Sequence, residues 1–397
     1  MFSPAHQSHF SLTINGVEHD FQVLAFNGEE AISRPYFFNV ALVSERSELD
    51  IEDLVDLEAF LSFDTEGNGI HGRVYHIVQS ADDQHFQRYN LALVPHLSYL
   101  RHRINQRIYQ QFSVPNIVAL VLEEHGIVGD AYRFDLGSTY PARDHCTQYG
   151  ETDLHFVQRL CEEEGIHFHF QHSAQGHVLV FTDDQAAFPR IGQPTAFGQA
   201  HDRVTNQPLI SRLNLRVGPL TRRQAEGHSD QTRLASGHVL EISDHPRQAL
   251  NAPWLLTQVI HEGKQPQVSG GNVASAPPDN EDDFQQGYRN RFMALPWDRF
   301  YRPPLAHNKP QVTSNQTAVV IAVEDEEIRG DRRLGRIKVK LPWDRDDRFD
   351  DKSSCWLRVA SNWCCEMTPP RTGMEVMVTF FESDPDQPLV SGCLCCR

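Results

Sequence analysis

Histidines and cysteines are the residues whose spacing most invites chemistry in this chain. Ile166-His167-Phe168-His169-Phe170 puts two imidazoles at i and i+2, on one face of a strand, with His172 and His177 just beyond. Such a pair could begin a metal site. No third ligand type stands at metal spacing, so the pattern predicts an amphipathic strand, with Ile166, Phe168 and Phe170 inward and the histidines outward. Six of the eight cysteines, Cys355, Cys364, Cys365, Cys393, Cys395 and Cys396, lie in the last 43 residues. They lack the two C-x2-4-C pairs of a zinc site, so buried or free thiols are expected, with disulfides as the alternative. Gly330 to Ile337 outwardly resembles a phosphate loop. Arg336 and Ile337 replace its Lys and its Ser/Thr hydroxyl, and a strand pattern follows, so a hairpin is expected. His261-Glu262 continues into Gly263-Lys264 and fails the zinc-protease motif, and no G-x-S-x-G elbow occurs. Arg336, Lys338 and Lys340 alternate, with Trp343, Trp356 and Trp363 nearby. They could face a sugar or a nucleic acid, but acidic surroundings favour a solvated or subunit-contacting face. No residue is assigned a catalytic, cofactor-binding or metal-binding role.

The elements that would position these groups are mostly strands. Phe10, Leu12 and Ile14 alternate up to a turn at Asn15-Gly16. Phe21, Val23 and Ala25 alternate up to a second turn signal at Asn27-Gly28, and Tyr36, Phe38, Val40 and Leu42 follow. Short alternating runs between turn signals predict barrels or sandwiches. Two helices are expected. Ser113 caps one that runs to His125, with Ile117, Leu120 and Val121 inward and Gly126 as its stop. Thr152 caps another that runs to Glu164, with Leu154, Val157, Leu160 and Cys161 inward and Gly165 as its stop. A short third helix is possible at Ile51 to Leu57. Glu162, Glu163 and Glu164 oppose the macrodipole at the end of the second helix, offset in part by Arg159. They read as a solvated acidic end, or alternatively as a patch for a partner's basic groups.

The chain has 397 residues and a net charge of −17. That length predicts two to three domains. The acidity argues against a nucleic-acid or anionic-membrane binder. No apolar run is long enough to span a bilayer, and the N-terminus lacks signal-peptide character, so folding in a cytoplasm is expected. Residues 264–283 read as a long loop, or as a disordered insertion inside a domain. A boundary falls near Pro310, and the part beyond it carries 12 basic and 15 acidic groups, net −3.

Three stretches together resemble one family. The first runs from His71-Gly72-Arg73-Val74 through Tyr89 to Pro95 and on to Arg107-Ile108-Tyr109-Gln110. The second is Cys146 to Ile166, CTQYGETDLHFVQRLCEEEGI. The third joins Gly335 to Val339, Pro342 to Arg345, Cys355 to Val359, Pro370 to Val376 and Asp384 to Gly392. They resemble VgrG, the spike family of bacterial type VI secretion, over nearly the whole chain and in the right order. Ala322 and Val323 stand where the family carries Gly-Pro, and Thr372 where it carries Ile.

The resemblance implies a mainly β fold with a few helices, of α+β type. Residues 1–310 would form a phage hub-like region of two related β-barrel domains, and residues 311–397 an OB-fold spike base. A β-helix needle follows in the family. This chain stops at Arg397, so a hub and spike base without the needle is expected. The resemblance further implies a homotrimer that caps the hexameric Hcp tube, joins baseplate proteins, and carries a PAAR-type tip protein and effectors. It implies no nucleic acid, no stable membrane insertion, no enzymatic activity and no cofactor. The spike would be cytoplasmic when assembled and then secreted by the type VI apparatus, without a signal peptide. A cell-wall hydrolase and a sugar- or nucleic-acid-binding OB module are the alternatives. Three sets of C-terminal cysteines around a threefold axis could form interchain disulfides after oxidation.

Overall fold

The computed structural model describes residues 10–45, 50–80, 87–198, 207–218, 223–266, 284–323, 336–344, 354–360 and 370–394. The chain opens with β1 (Ser11–Ile14), β2 (Gln22–Ala31), β3 (Arg34–Ser44), β4 (Glu58–Ser62), β5 (Gly69–Ser80) and β6 (Gln87–Val94). Then come β7 (Ile104–Tyr109), α1 (Val114–Glu124), β8 (Tyr132–Asp135), β9 (Cys146–Thr152), α2 (Asp153–Glu164), β10 (His167–Ser173) and β11 (Gly176–Thr182). Six strands follow: β12 (Thr195–Phe197), β13 (Leu209–Arg216), β14 (Gln224–Ser229), β15 (Val239–Ser243), β16 (Pro253–Lys264) and β17 (Gly287–Pro296). The last five are β18 (Gln316–Val323), β19 (Arg336–Lys340), β20 (Cys355–Val359), β21 (Glu375–Phe380) and β22 (Pro388–Cys393). The fold is mainly β.

These elements form two compact units. The first comprises Met1–Ser98, Ile127–Gly137 and Gly165–Pro303; the second comprises Tyr99–Gly126, Ser138–Glu164 and Pro304–Arg397.

In the first unit one sheet runs β1-β4-β5-β6-β3-β2 and continues through β16. From β16 it runs β15-β12-β13-β14-β17, and β17 pairs back onto β16, so these six strands close a ring. Trp254, Leu256, Val259, Phe292, Ile210 and Leu240 are among the residues that fill it. The expected alternation holds at β1 and β3, where Leu12, Ile14, Tyr36, Phe38, Val40 and Leu42 are buried. In β2 it fails. A bulge between Val23 and Ala25 switches the inward face to Phe26, and the strand passes straight through Asn27-Gly28. Gly28 is not a turn glycine. A Cβ there would sit 2.1 Å from the Phe38 ring, so the glycine makes room for a neighbouring strand's aromatic. The chain reverses instead at Ile32-Ser33, where Ser33 has φ +62°.

In the second unit β18-β19-β20-β22-β21 form a closed barrel. Val320, Val339, Leu357, Val376, Val378 and Val390 are in its core. Beside it, β7 pairs with β9, and α1 packs on α2. Helix α1 begins after Ser113 as expected, and buries Ile117 and Val121 together with Val118 and Leu122. Leu120 is only half-buried. The expected helix near Ile51 is a single 3-10 turn, Glu52–Leu54.

Candidate functional site

The segment from Cys146 to Glu164 builds a buried ionic network in the second unit. Thr152 Oγ1 accepts from the His155 N–H (3.1 Å), which satisfies one orphan donor at the start of α2. Asp153 is fully buried. It accepts from Arg103 Nε at 2.5 Å, Gln148 Nε2 at 2.8 Å and Asn105 Nδ2 at 3.1 Å, and meets His125 Nε2 at 2.8 Å. Burial alone would raise its pKa. The bonds from His125, Gln148 and Arg103 outweigh burial and hold the carboxyl well below the usual carboxylate range. Arg159, 1% exposed, bridges Glu151 (2.7 Å) and Glu163 (2.9 Å).

The acidic end of α2 is neither solvated nor free for a partner's basic groups. Glu162 accepts from the backbone N–H groups of Ala306 and His307, at 2.8 and 2.9 Å, and lies 2.7 Å from His307 Nδ1. Glu163 and Glu164 are held by Arg143 at 2.9 and 2.5 Å. Backbone donors and two arginines, Arg143 and Arg159, therefore offset charges that the macrodipole alone would disfavour.

The same segment ties the helix layer to the barrel. Thr147 N donates to Asp386 Oδ1 (2.5 Å), and Thr147 Oγ1 donates to the Pro385 carbonyl (3.0 Å). Lys309 Nζ lies 2.6 Å from both Asp384 and Asp386. Gln110 donates to the Ser354 carbonyl (2.7 Å) and accepts from Trp356 N (3.3 Å). Gln316 donates to the Tyr149 hydroxyl (2.9 Å) and accepts from Trp343 Nε1. The Asp384-Pro385-Asp386 turn is thus a structural clasp.

The strand around His167 departs from expectation. His167 and His169 are buried, not outward. Phe188 and Tyr301 cover His167, while Phe188 and His238 cover His169. On the other face Phe168 packs on Phe181, and Phe170 on Tyr36. Burial lowers the pKa of His167 to about 4 and of His169 to about 3, so both are neutral at pH 7. His172 and His177 pair across β10 and β11 and gather with His71 of β5, a partner that no spacing signal pointed to. Among the described residues no group of three or more His, Cys, Asp or Glu is placed to hold a metal ion.

Cys146, Cys161 and Cys355 are buried free thiols; burial pushes Cys146 and Cys355 up to about 12. Cys393 is half-buried, while Cys364, Cys365, Cys395 and Cys396 lie outside the described residues. So do the 267–283 part of the expected long loop, residues 330–335 of the expected hairpin, and Trp363. The alternating basic face is present, with Arg336 and Lys340 half-exposed and its middle residue covered. Lys338 is 7% exposed, with its ammonium 5.9 Å from the Trp356 ring centroid. On β18 the outward residues are apolar instead: Val319, Ile321 and Val323 are 42%, 41% and 38% exposed.

This barrel-rich chain with its small five-stranded barrel matches two families of the hub and injector class. Residues 29–221 match the phage tail baseplate hub (GPD) family. Residues 316–394 match the type VI secretion system/phage-baseplate injector OB domain. The type VI secretion system spike proteins VgrG4b and VgrG5 of Pseudomonas aeruginosa are 50% and 46% identical over 99% of this chain. A solved type VI component, the E. coli c3393 protein, described as similar to the T4 tail proteins gp27 and gp5, superposes with a TM-score of 0.78. It shares 25% identity and covers 97% of this chain and 100% of its own. The chain belongs to the VgrG family of type VI secretion spike proteins. It spans 57% and 58% of the lengths of the two Pseudomonas relatives.

Proposed function

We propose that this chain is the hub and spike base of a homotrimeric type VI spike. Its work is mechanical rather than catalytic. Residues 1–310 would supply the hub that caps the Hcp tube and meets the baseplate. Residues 311–397 would supply the OB base that, in a longer protein, leads to the tip protein and effectors. The spike would assemble in the cytoplasm and leave the cell through the type VI apparatus. The observation that carries this reading is sequence likeness to two spike proteins along almost the entire chain. The outward residues Val319, Ile321 and Val323 of β18 form one apolar row that a contact between copies would cover.

Light scattering on the purified chain tests the symmetry. Three times the 45.3 kDa chain mass, 135.9 kDa, is expected. A 45.3 kDa particle at every concentration would remove self-trimerisation from the proposal. Co-sedimentation with purified Hcp tubes tests the capping role separately, and a chain that stays wholly in the supernatant would count against it.

A further inference from the structure

Three histidines meet where the β10–β11 hairpin lies on β5 and β3. The Nδ1 atoms of His71 and His177 are 3.1 Å apart, a contact that fits only while one of the two carries a proton. His172 Nδ1 accepts from the His71 backbone N–H at 3.2 Å, which places the neutral ring's proton on Nε2. That Nε2 is buried, with no hydrogen-bond partner among the described residues. Tyr36 closes the cluster. Its hydroxyl donates to the His71 carbonyl at 2.5 Å, and its ring packs edge-on against His172 at 5.0 Å.

Facing this cluster from other elements are Glu58 of β4, Arg73 of β5, His96, Asp130 and His238, with Glu30 of β2 acting on Tyr36. Two further histidines and one arginine stand against three carboxylates, so burial of the rings, rather than the surrounding charge, is what opposes added protons. His71 and His177 also line a cavity of about 330 Å³, along with His96, Glu58 and Asp130. Protons and water therefore have a way in.

The hairpin is unevenly held. β8 pairs with β11 only from Leu179 to Thr182. The distal end, residues 171–178, has no such third strand; an Arg133 bond to Gln171 (3.1 Å), the nearby turn Gly129–Ala131 and the histidine contacts hold it. We propose that His71, His172 and His177 form an acid-operated latch, which releases the distal end of the β10–β11 hairpin from β5 and β3 when the rings take up protons. Of His71 and His177, the ring that donates takes a second proton at Nε2 and keeps the bond, whereas a proton on Nδ1 of the ring that accepts turns the bond into opposed N–H groups. A proton on His172 Nδ1 opposes the His71 N–H in the same way. Separation and hydration of the hairpin end relieve both conflicts. Burial keeps His172 and His177 hard to protonate while the latch is closed, which couples proton uptake to opening.

Peptide-resolved hydrogen exchange on the full chain, at pH 7.5 and pH 4.5 and corrected for intrinsic rates, tests this. Protection over residues 171–178 is expected to fall by at least about tenfold at pH 4.5, because an opened imidazole regains its ordinary affinity for protons. Peptides from β16 and β17 serve as the internal reference and should change far less. In the variant H71Q/H177Q the acid step should largely disappear; if that variant does not fold, H177Q alone should shrink it. Unchanged hairpin protection, parallel loss in hairpin and reference, or a full step in the variant would each overturn the latch.

Discussion

The two units differ in the polar side chains they mainly bury, although the first also sets His261 against Glu30 at 3.0 Å and the second also holds His145, which burial pushes toward its neutral form. The first unit hides neutral imidazoles. His167, His169, His172, His177 and His238 are all pushed toward their uncharged forms, chiefly by burial. The second unit hides full charges and matches them, with Asp153 against Arg103, and Arg159 against Glu151 and Glu163. A buried neutral ring is cheap until acid offers it a proton. A buried ion pair is costly to desolvate, but once made it tolerates mild acid and punishes the loss of either partner. The two units should therefore fail under different insults, and a set of substitutions can test that.

The largest effect is expected from Arg159→Met, which strands the buried Glu151 without its arginine, while Glu163 keeps Arg143. Removing one partner of a buried pair costs about 3–5 kcal/mol. Urea denaturation at pH 7 should show a loss of that size. A loss below 1 kcal/mol, on the order of a surface pair, would show that the network is not desolvated in solution.

Asp153→Asn comes next, at about 2–3 kcal/mol, the range for hydrogen bonds to a charged group. Its pH profile carries the sharper information. The folded pKa lies below the ordinary value, so the carboxylate's contribution is complete above about pH 5 and fades as the pH falls below about 4. The gap between wild type and variant should be flat from pH 7 to pH 5 and then close. His167→Phe should do the reverse. The folded pKa of about 4 lies below the imidazole's ordinary 6.5, so stability is full above 6.5 and falls as acid is added through that window. At pH 5 the wild type should have lost about 2 kcal/mol through this residue. A phenylalanine, packed against Phe188 and Tyr301, cannot lose it. Parallel pH profiles for the two variants would erase the contrast between the units.

Much of the architecture was legible because a strand's inward face is written locally. The alternation at β1 and β3, and the start of α1 after Ser113, needed only neighbours in sequence. What could not be read depended on distant partners. Glu162 looked solvated because His307 is 145 residues away, and Glu163 because Arg143 is 20 residues upstream. His167 and His169 looked outward because their cover, Phe188 and Tyr301, belongs to irregular segments with no periodicity. Gly28 looked like a turn because its purpose is a ring on the next strand. The resemblance of the Cys146–Ile166 and Asp384–Gly392 stretches identified the family. It did not reveal that Thr147 and Asp386 hold each other.

That clasp supplies the smallest expected effect. Tyr149→Phe keeps the ring that meets Trp343 edge-on at 5.3 Å and removes only the hydroxyl that accepts from Gln316 Nε2 at 2.9 Å. Both residues are half-buried, so water can replace part of what is lost. A neutral hydrogen bond of this kind is worth about 1 kcal/mol. The variant should lose that amount in urea, equally at pH 7 and pH 5. The pH independence is the informative part. If the loss grew in acid, the helix–barrel contacts would share the first unit's sensitivity to protons. If it stayed constant while His167→Phe changed sign against wild type across the same range, acid sensitivity would belong to the histidine-rich unit alone.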